Sequence, residues 1–219
     1  MWWAFADPHV HWVGNQTDRG VRYRKTIGAW RDTDICGQVL LQSALSTRLT
    51  QIAAYRQTIC SVAEAEYVLR KINAQTEPVI ARTQRAISEL HDVTEQLIER
   101  LHWRDFEILV DLIFARSGWL RVSELGGSQK DADLILEQVA TGERAFVQVK
   151  SKAGAATFEA SRDAYLQDGS FTHMFFVCHS PVGVIPEPDE PFVNYWSGSV
   201  LAALTVRTGL TNWLLERSS

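Results

Sequence analysis

Two short apolar runs flanking a Thr-Gly pair between Asp131 and Lys152 limit what this chain can fold into more than any other stretch. Asp133-Leu134-Ile135-Leu136 and Ala145-Phe146-Val147-Gln148-Val149-Lys150 predict two β-strands. Thr141-Gly142 predicts the connection, with glycine supplying the positive φ that a two-residue hairpin loop needs. With that loop Ala140 pairs with Glu143, Asp133 lies opposite Lys150, and Ile135 lies opposite Gln148. Opposed residues share a face and successive residues alternate. Asp133, Gln148 and Lys150 therefore converge on one side, and Val147 and Val149 point to the other. Three polar groups on one face at the open end of an apolar hairpin point to chemistry more than to packing.

The surrounding chain has 219 residues, enough for one large domain or two small ones. No window approaches the roughly 18 apolar residues of a membrane span, and the start, MWWAFADPHVHW, lacks the basic lead and cleavage site of a signal peptide. Cys36, Cys60 and Cys178 are far apart, which argues against structural zinc and suits a reducing compartment. The expectation is a cytoplasmic protein with no membrane partner. A net charge of −4 gives no bulk support for nucleic-acid binding, which must rest on a local patch. Arg19, Arg22, Arg24, Lys25 and Arg31 form one. It reads equally as a solvated strand edge or as a phosphate contact.

Residues 1–35 read as β-structure rich in aromatics: Trp2, Trp3, Phe5, Trp12, Tyr23 and Trp30. The four tryptophans either stack on bases or form the core of a small sheet. His9 and His11 share a strand face, with no third metal ligand near. Apolar spacing predicts a helix from Ile35 to about Tyr55, broken near Ser43–Ser46. A second helix is predicted over Ser61–Asn73, capped by Ser61 with Glu64 three residues on. Heptad-like steps through Ile80, Ile87, Leu90, Leu97 and Leu101 predict a long helix over about 78–101, read as a connector or a dimer seam. The organisation expected is an α+β module over 1–75, a helical connector over 76–102 and an α/β domain over 103–219. From residue 103 the order predicted is α-β-β-β-α-β, then a further strand and two helices.

A helix carrying Phe106-Glu107, a Gly126-Gly127 loop, Asp133, and then Gln148-Val149-Lys150 on the third strand resembles the restriction-endonuclease-like, or PD-(D/E)xK, superfamily. The branch it most resembles is the Mrr-type type IV restriction endonucleases, in which glutamine recurs where the general motif has an acid. The resemblance covers roughly residues 103–180. It implies Mg²⁺-dependent hydrolysis of DNA phosphodiester bonds, with Mn²⁺ as a substitute, in restriction of foreign or modified DNA. One such site cuts one strand, so cutting both needs a dimer or successive nicks, and the expectation is a homodimer paired about a two-fold axis. The implied catalytic residues are Asp133, Gln148, Lys150 and Glu107. Asp133, the Gln148 amide carbonyl and the Val149 backbone carbonyl would hold the metal, as hard oxygen donors do for Mg²⁺, and Glu107 would complete the set. Lys150 would orient water or meet charge on the phosphate; Lys152 shares its face, so the two roles are open to exchange. Arg22, Arg24, Lys25, Lys152 and Gln129 are the nucleic-acid contacts expected. HVHW, GQVLLQSALSTRLT and QTICSVAEAE are similar to PUA-like domains, including the EVE type, which implies a flipped base held in an aromatic cage. Two readings stay open beside this one: a nuclease fold that binds DNA without cutting it, and a nuclease for RNA or branched repair intermediates.

Overall fold

A computed structural model describes residues 1–13, 21–51, 61–122 and 132–218. The chain divides into two compact units, Met1–Thr83 and Gln84–Ser219. The division falls inside a long helix, in the stretch that the sequence reads as a connector.

In the first unit, strands β1 (Trp3–Ala6) and β4 (Thr26–Arg31) pair antiparallel, and β2 (His11–Val13) and β3 (Val21–Tyr23) pair between them. The two pairs are separate two-stranded sheets, one nested in sequence within the other, and the Asp7 N–H donates to the Lys25 carbonyl at 2.8 Å between them. The helix predicted over 35–55 is not formed. The Asp34 carboxylate accepts from the N–H groups of Cys36 and Gln38, both at 2.9 Å, and Gly37 takes a φ of +86°. A side chain that captures the donors of a first helical turn folds a loop instead. Only a 3₁₀ turn (Gln42–Ala44) and α1 (Thr47–Thr50) follow, and residues 52–55 lie outside the described residues. Helix α2 runs from Ala65 to Ile72, one turn later than predicted, and no side chain caps it, so Ser61 does not serve as its cap.

The long helix α3 (Pro78–Glu99) leads through His102 to α4 (Trp103–Arg116). His102 Nδ1 accepts from the Arg104 N–H at 3.4 Å, capping α4; Asp105 sits in the first turn and Arg116 in the last, each complementing the helix dipole. Phe106, Leu109, Val110, Ile113 and Phe114 recur at helical spacing and are buried. Gly118, at a φ of +89°, turns the chain into β5 (Trp119–Arg121). Then come β6 (Leu134–Gln138), β7 (Arg144–Gly154), α5 (Ala155–Asp168), β8 (His173–Val182), β9 (Val193–Trp196), α6 (Gly198–Arg207) and α7 (Thr211–Ser218).

The five strands form one mixed sheet in chain order, antiparallel from β5 to β7 and parallel from β7 to β9. Leu134, Leu136, Ala145, Val147, Val149, Phe175 and Val177 make one core with residues of α4, α6 and α7. Phe146, Met174, Phe176 and Cys178 make the other with Phe158 and Tyr165 of α5. This is the α-β-β-β-α-β order predicted, in an α/β fold of the restriction-endonuclease-like kind.

Candidate active site

The hairpin that opened the sequence reading forms with a different loop. Gln138 N donates to the Glu143 carbonyl at 2.8 Å, so four residues, Val139 to Gly142, make the connection, with Gly142 last at a φ of +71°. Thr141 stabilises the wider loop: its hydroxyl donates to Glu143 Oε2 at 3.0 Å and accepts from the Glu143 N–H at 3.3 Å. The register is Leu134 with Val147 and Ile135 with Phe146, two residues away from the prediction. Continuing it puts Asp133 across from Gln148, not Lys150. A slip of two leaves every side chain on its predicted face, where a slip of one would have reversed them all.

The polar cluster survives the correction. Asp133 Oδ2 accepts hydrogen bonds from Gln148 Nε2, from the Val149 N–H at 2.8 Å and from Lys150 Nζ at 3.1 Å. Gln148 is buried, while Asp133 and Lys150 are partly exposed. The pairing of β6 with β7 ends at Leu134–Val147, followed by the Asp133 N–H donating to the Val147 carbonyl. In an extended strand the N–H and C=O of one residue lie on the same edge. The Val149 carbonyl therefore projects to the side where β6 has stopped and Asp133 stands.

Glu107 enters from the first turns of α4. Burial raises its pKa above the ordinary carboxylate value, and the negative charge of Asp133 raises it further. Lys150, Arg121 and Arg104 pull it partly back. The Glu107 and Asp133 carboxylates, beside an amide and a projecting carbonyl, offer hard oxygen donors to a cation. Mg²⁺ commonly takes one or two carboxylates and completes its shell with water and substrate phosphate. This donor set fits that habit. Among the described residues no group of three or more His, Cys, Asp or Glu gathers into a metal cluster, so the fit depends on the amide and backbone oxygens.

The other predicted residues fall elsewhere. Lys152 is exposed on β7 beyond Lys150, and only Lys150 of the pair bonds Asp133. Arg22, Arg24 and Lys25 are exposed in the first unit. Gln129, Asp131 and the Gly126-Gly127 loop lie outside the described residues. Trp2, Trp12 and Trp30 are exposed, not enclosed in a cage. Sequence reasoning missed Arg104 and Arg121, whose charges reach Glu107. Arg104 was findable, three residues from Glu107 and hence on the same helix face. Arg121 was not, because its approach depends on how β5 closes against α4, where it also pairs with Asp111 at 4.0 Å.

A mixed sheet with an acid at the end of one strand, Gln-x-Lys on its neighbour and a glutamate on the preceding helix defines a restriction-endonuclease-like domain. Residues 98–165 match the family model Mrr_cat, described as restriction endonuclease. That portion of the chain, which holds Glu107, Asp133, Gln148, Val149 and Lys150, is thus similar to the catalytic domain of Mrr-type restriction endonucleases. No curated protein and no solved structure matches the chain at a significant level.

Proposed function

We propose that this protein is a Mg²⁺-dependent endonuclease that hydrolyses DNA phosphodiester bonds, acting as a homodimer in defence against foreign or modified DNA. One observation carries the reading: a single carboxylate oxygen, Asp133 Oδ2, gathers Gln148, Val149 and Lys150, with Glu107 within its field, inside the segment that matches a restriction-endonuclease family. Asp133, Glu107, the Gln148 amide oxygen and the Val149 carbonyl would hold the cation. When bound, it supplies Lewis acidity toward the phosphate and lowers the pKa of water. Lys150, already beside Asp133, orients the attacking water and meets charge that develops on the phosphate oxygens. Water attacks phosphorus in line and the bond to the 3′ oxygen breaks.

Gln148 also favours a second reading. It is neutral where an acid would bind a cation more strongly, and its amide N–H already satisfies Asp133. A domain that binds DNA without cutting it accounts for that arrangement as well. One assay separates them: methylated and unmethylated plasmid with Mg²⁺, beside EDTA, Asp133→Ala and Lys150→Ala. The nuclease reading expects metal-dependent cutting that falls at least about 100-fold in each variant, as loss of a single charge-stabilising group does. A preference for the methylated plasmid supports the role in restricting modified DNA. Binding without cutting favours the second reading, and cutting that survives both substitutions removes Asp133 and Lys150 from the site.

A further inference from the structure

Trp3 of the first unit is half-buried, its indole N–H donating to the Thr33 carbonyl at 2.8 Å, but Trp2, Trp12 and Trp30 are not the core of a sheet. Trp2 is 65% exposed, Trp30 60% and Trp12 42%, with Phe5 at 62% and Tyr23 at 42%. Aromatic rings left in water along two-stranded sheets need another reason to be there. On β2 and β3, Trp12 faces Arg22 across the pair, and the guanidinium carbon lies 5.3 Å from the indole centroid. One step along, His11 faces Tyr23, and their rings stack with centroids 5.2 Å apart. Successive residues alternate, so each face of the pair presents a flat ring backed by a second planar group.

The charge around these rings is opposite in sign to the chain's net −4. Arg22, Arg24, Lys25 and Arg31 are exposed, and among the described residues none of them takes part in an ion pair. Arg24 donates to a backbone oxygen, that of Asp7, at 3.4 Å, and Arg31 lies over the Trp3 ring at 5.7 Å. Flat aromatic platforms interleaved with exposed guanidinium and ammonium groups complement an unpaired strand: bases stack on the rings, and phosphates meet the cations. A duplex keeps its bases stacked on one another and has no face to offer.

We propose that the paired strands β2 (His11–Val13) and β3 (Val21–Tyr23), with Arg24 and Lys25 next along the chain, bind single-stranded nucleic acid, with Trp12 and Tyr23 as stacking platforms and Arg22, Arg24 and Lys25 as phosphate contacts. The proposal does not rest on the nuclease reading, because every residue in it belongs to the first unit. Its test uses the full chain in EDTA and follows the anisotropy of a labelled oligothymidylate of about 20 nucleotides, a length that spans several stacking sites. The same sequence as a duplex and an abasic strand of equal length are the comparisons. The expected order is single strand tightest, with the abasic strand and the duplex weaker.

Trp12→Ala and Tyr23→Ala should each weaken single-strand binding by roughly 5- to 150-fold, the range for one base–aromatic stack. Trp12→Phe should retain most of the affinity. Arg22→Ala and Arg24→Ala should each reduce the slope of log affinity against log salt by about 0.7. Abasic and normal strands bound equally would overturn the proposal. So would duplex held as tightly as single strand, or full affinity in the doubly substituted Trp12→Ala/Tyr23→Ala chain. Retention on anionic lipid vesicles that single-stranded DNA does not compete away would assign the surface to a membrane instead. The abasic comparison needs only the unsubstituted protein, so the test stands even if a variant fails to fold. Failure to cut plasmid with Mg²⁺ would leave this binding untouched.

Discussion

Glu107 is the residue at which folding and the proposed chemistry oppose each other. Burial, and then Asp133, raise its pKa above 4.5, so the folded domain holds this proton more tightly than the unfolded chain does. Below the unfolded value both states hold the proton and nothing is lost. As pH rises through the raised folded value, ionisation beside Asp133 takes stability away. Glu107→Gln keeps the neutral form at every pH. In EDTA the variant should therefore match the parent near pH 4 and become the more stable of the two as pH rises toward 7, as urea denaturation reads directly. Mg²⁺ should reverse the order at pH 7 by raising the parent's melting temperature and leaving the variant's nearly unchanged. Equal stability at all pH values would mean that Glu107 does not stand in the field of Asp133. The same substitution should abolish cutting, the usual trade where a site is built at the expense of stability.

At the scale of elements, His179 on β8 shows how tightly the sheet is covered beside the site. It is buried, its ring meets Phe106 of α4 edge to face at 4.5 Å, and Nδ1 lies 2.8 Å from the Ser180 hydroxyl. Nε2 has no hydrogen-bond partner among the described residues. Burial lowers its pKa below 6.5, and Glu99 on α3 draws it partly back. The unfolded chain takes up a proton at about pH 6.5 and the folded one does not, so stability falls as pH drops below 6.5, by at most about 1.4 kcal/mol per pH unit. His179→Leu should flatten that part of the profile; an unchanged slope would place the proton uptake elsewhere. Contacts of this kind are not legible in a sequence, whereas periodicity is. Helices α3 to α7, the hairpin and the buried β8 strand all announced themselves by spacing. The errors came where local side-chain bonding overrides spacing. Asp34 turns a helical pattern into a loop, and Thr141 widens a turn by two residues. The site remained readable through that second error because a two-residue shift preserves strand parity.

The whole molecule carries a net charge of −4, while its first unit holds exposed aromatic rings beside exposed arginines and a lysine. Under the proposed function each chain supplies one catalytic centre, formed by a single hairpin and the start of α4, and one centre breaks one strand. The strands of a duplex run antiparallel and are related by two-fold axes, so two copies paired about such an axis would bring one centre to each strand. Pairing obeys mass action. With supercoiled plasmid and Mg²⁺, the first nick per chain should proceed at a rate independent of protein concentration. The ratio of linear to nicked product should rise with it over about a hundredfold range, until pairing saturates. Mixing in an excess of Asp133→Ala chains should then lower linear product and leave nicking largely intact, because a mixed pair holds one working centre. A ratio that stays constant across the range, unaffected by the inactive chains, would mean that a single chain makes both breaks in succession and that the homodimer is not the acting form.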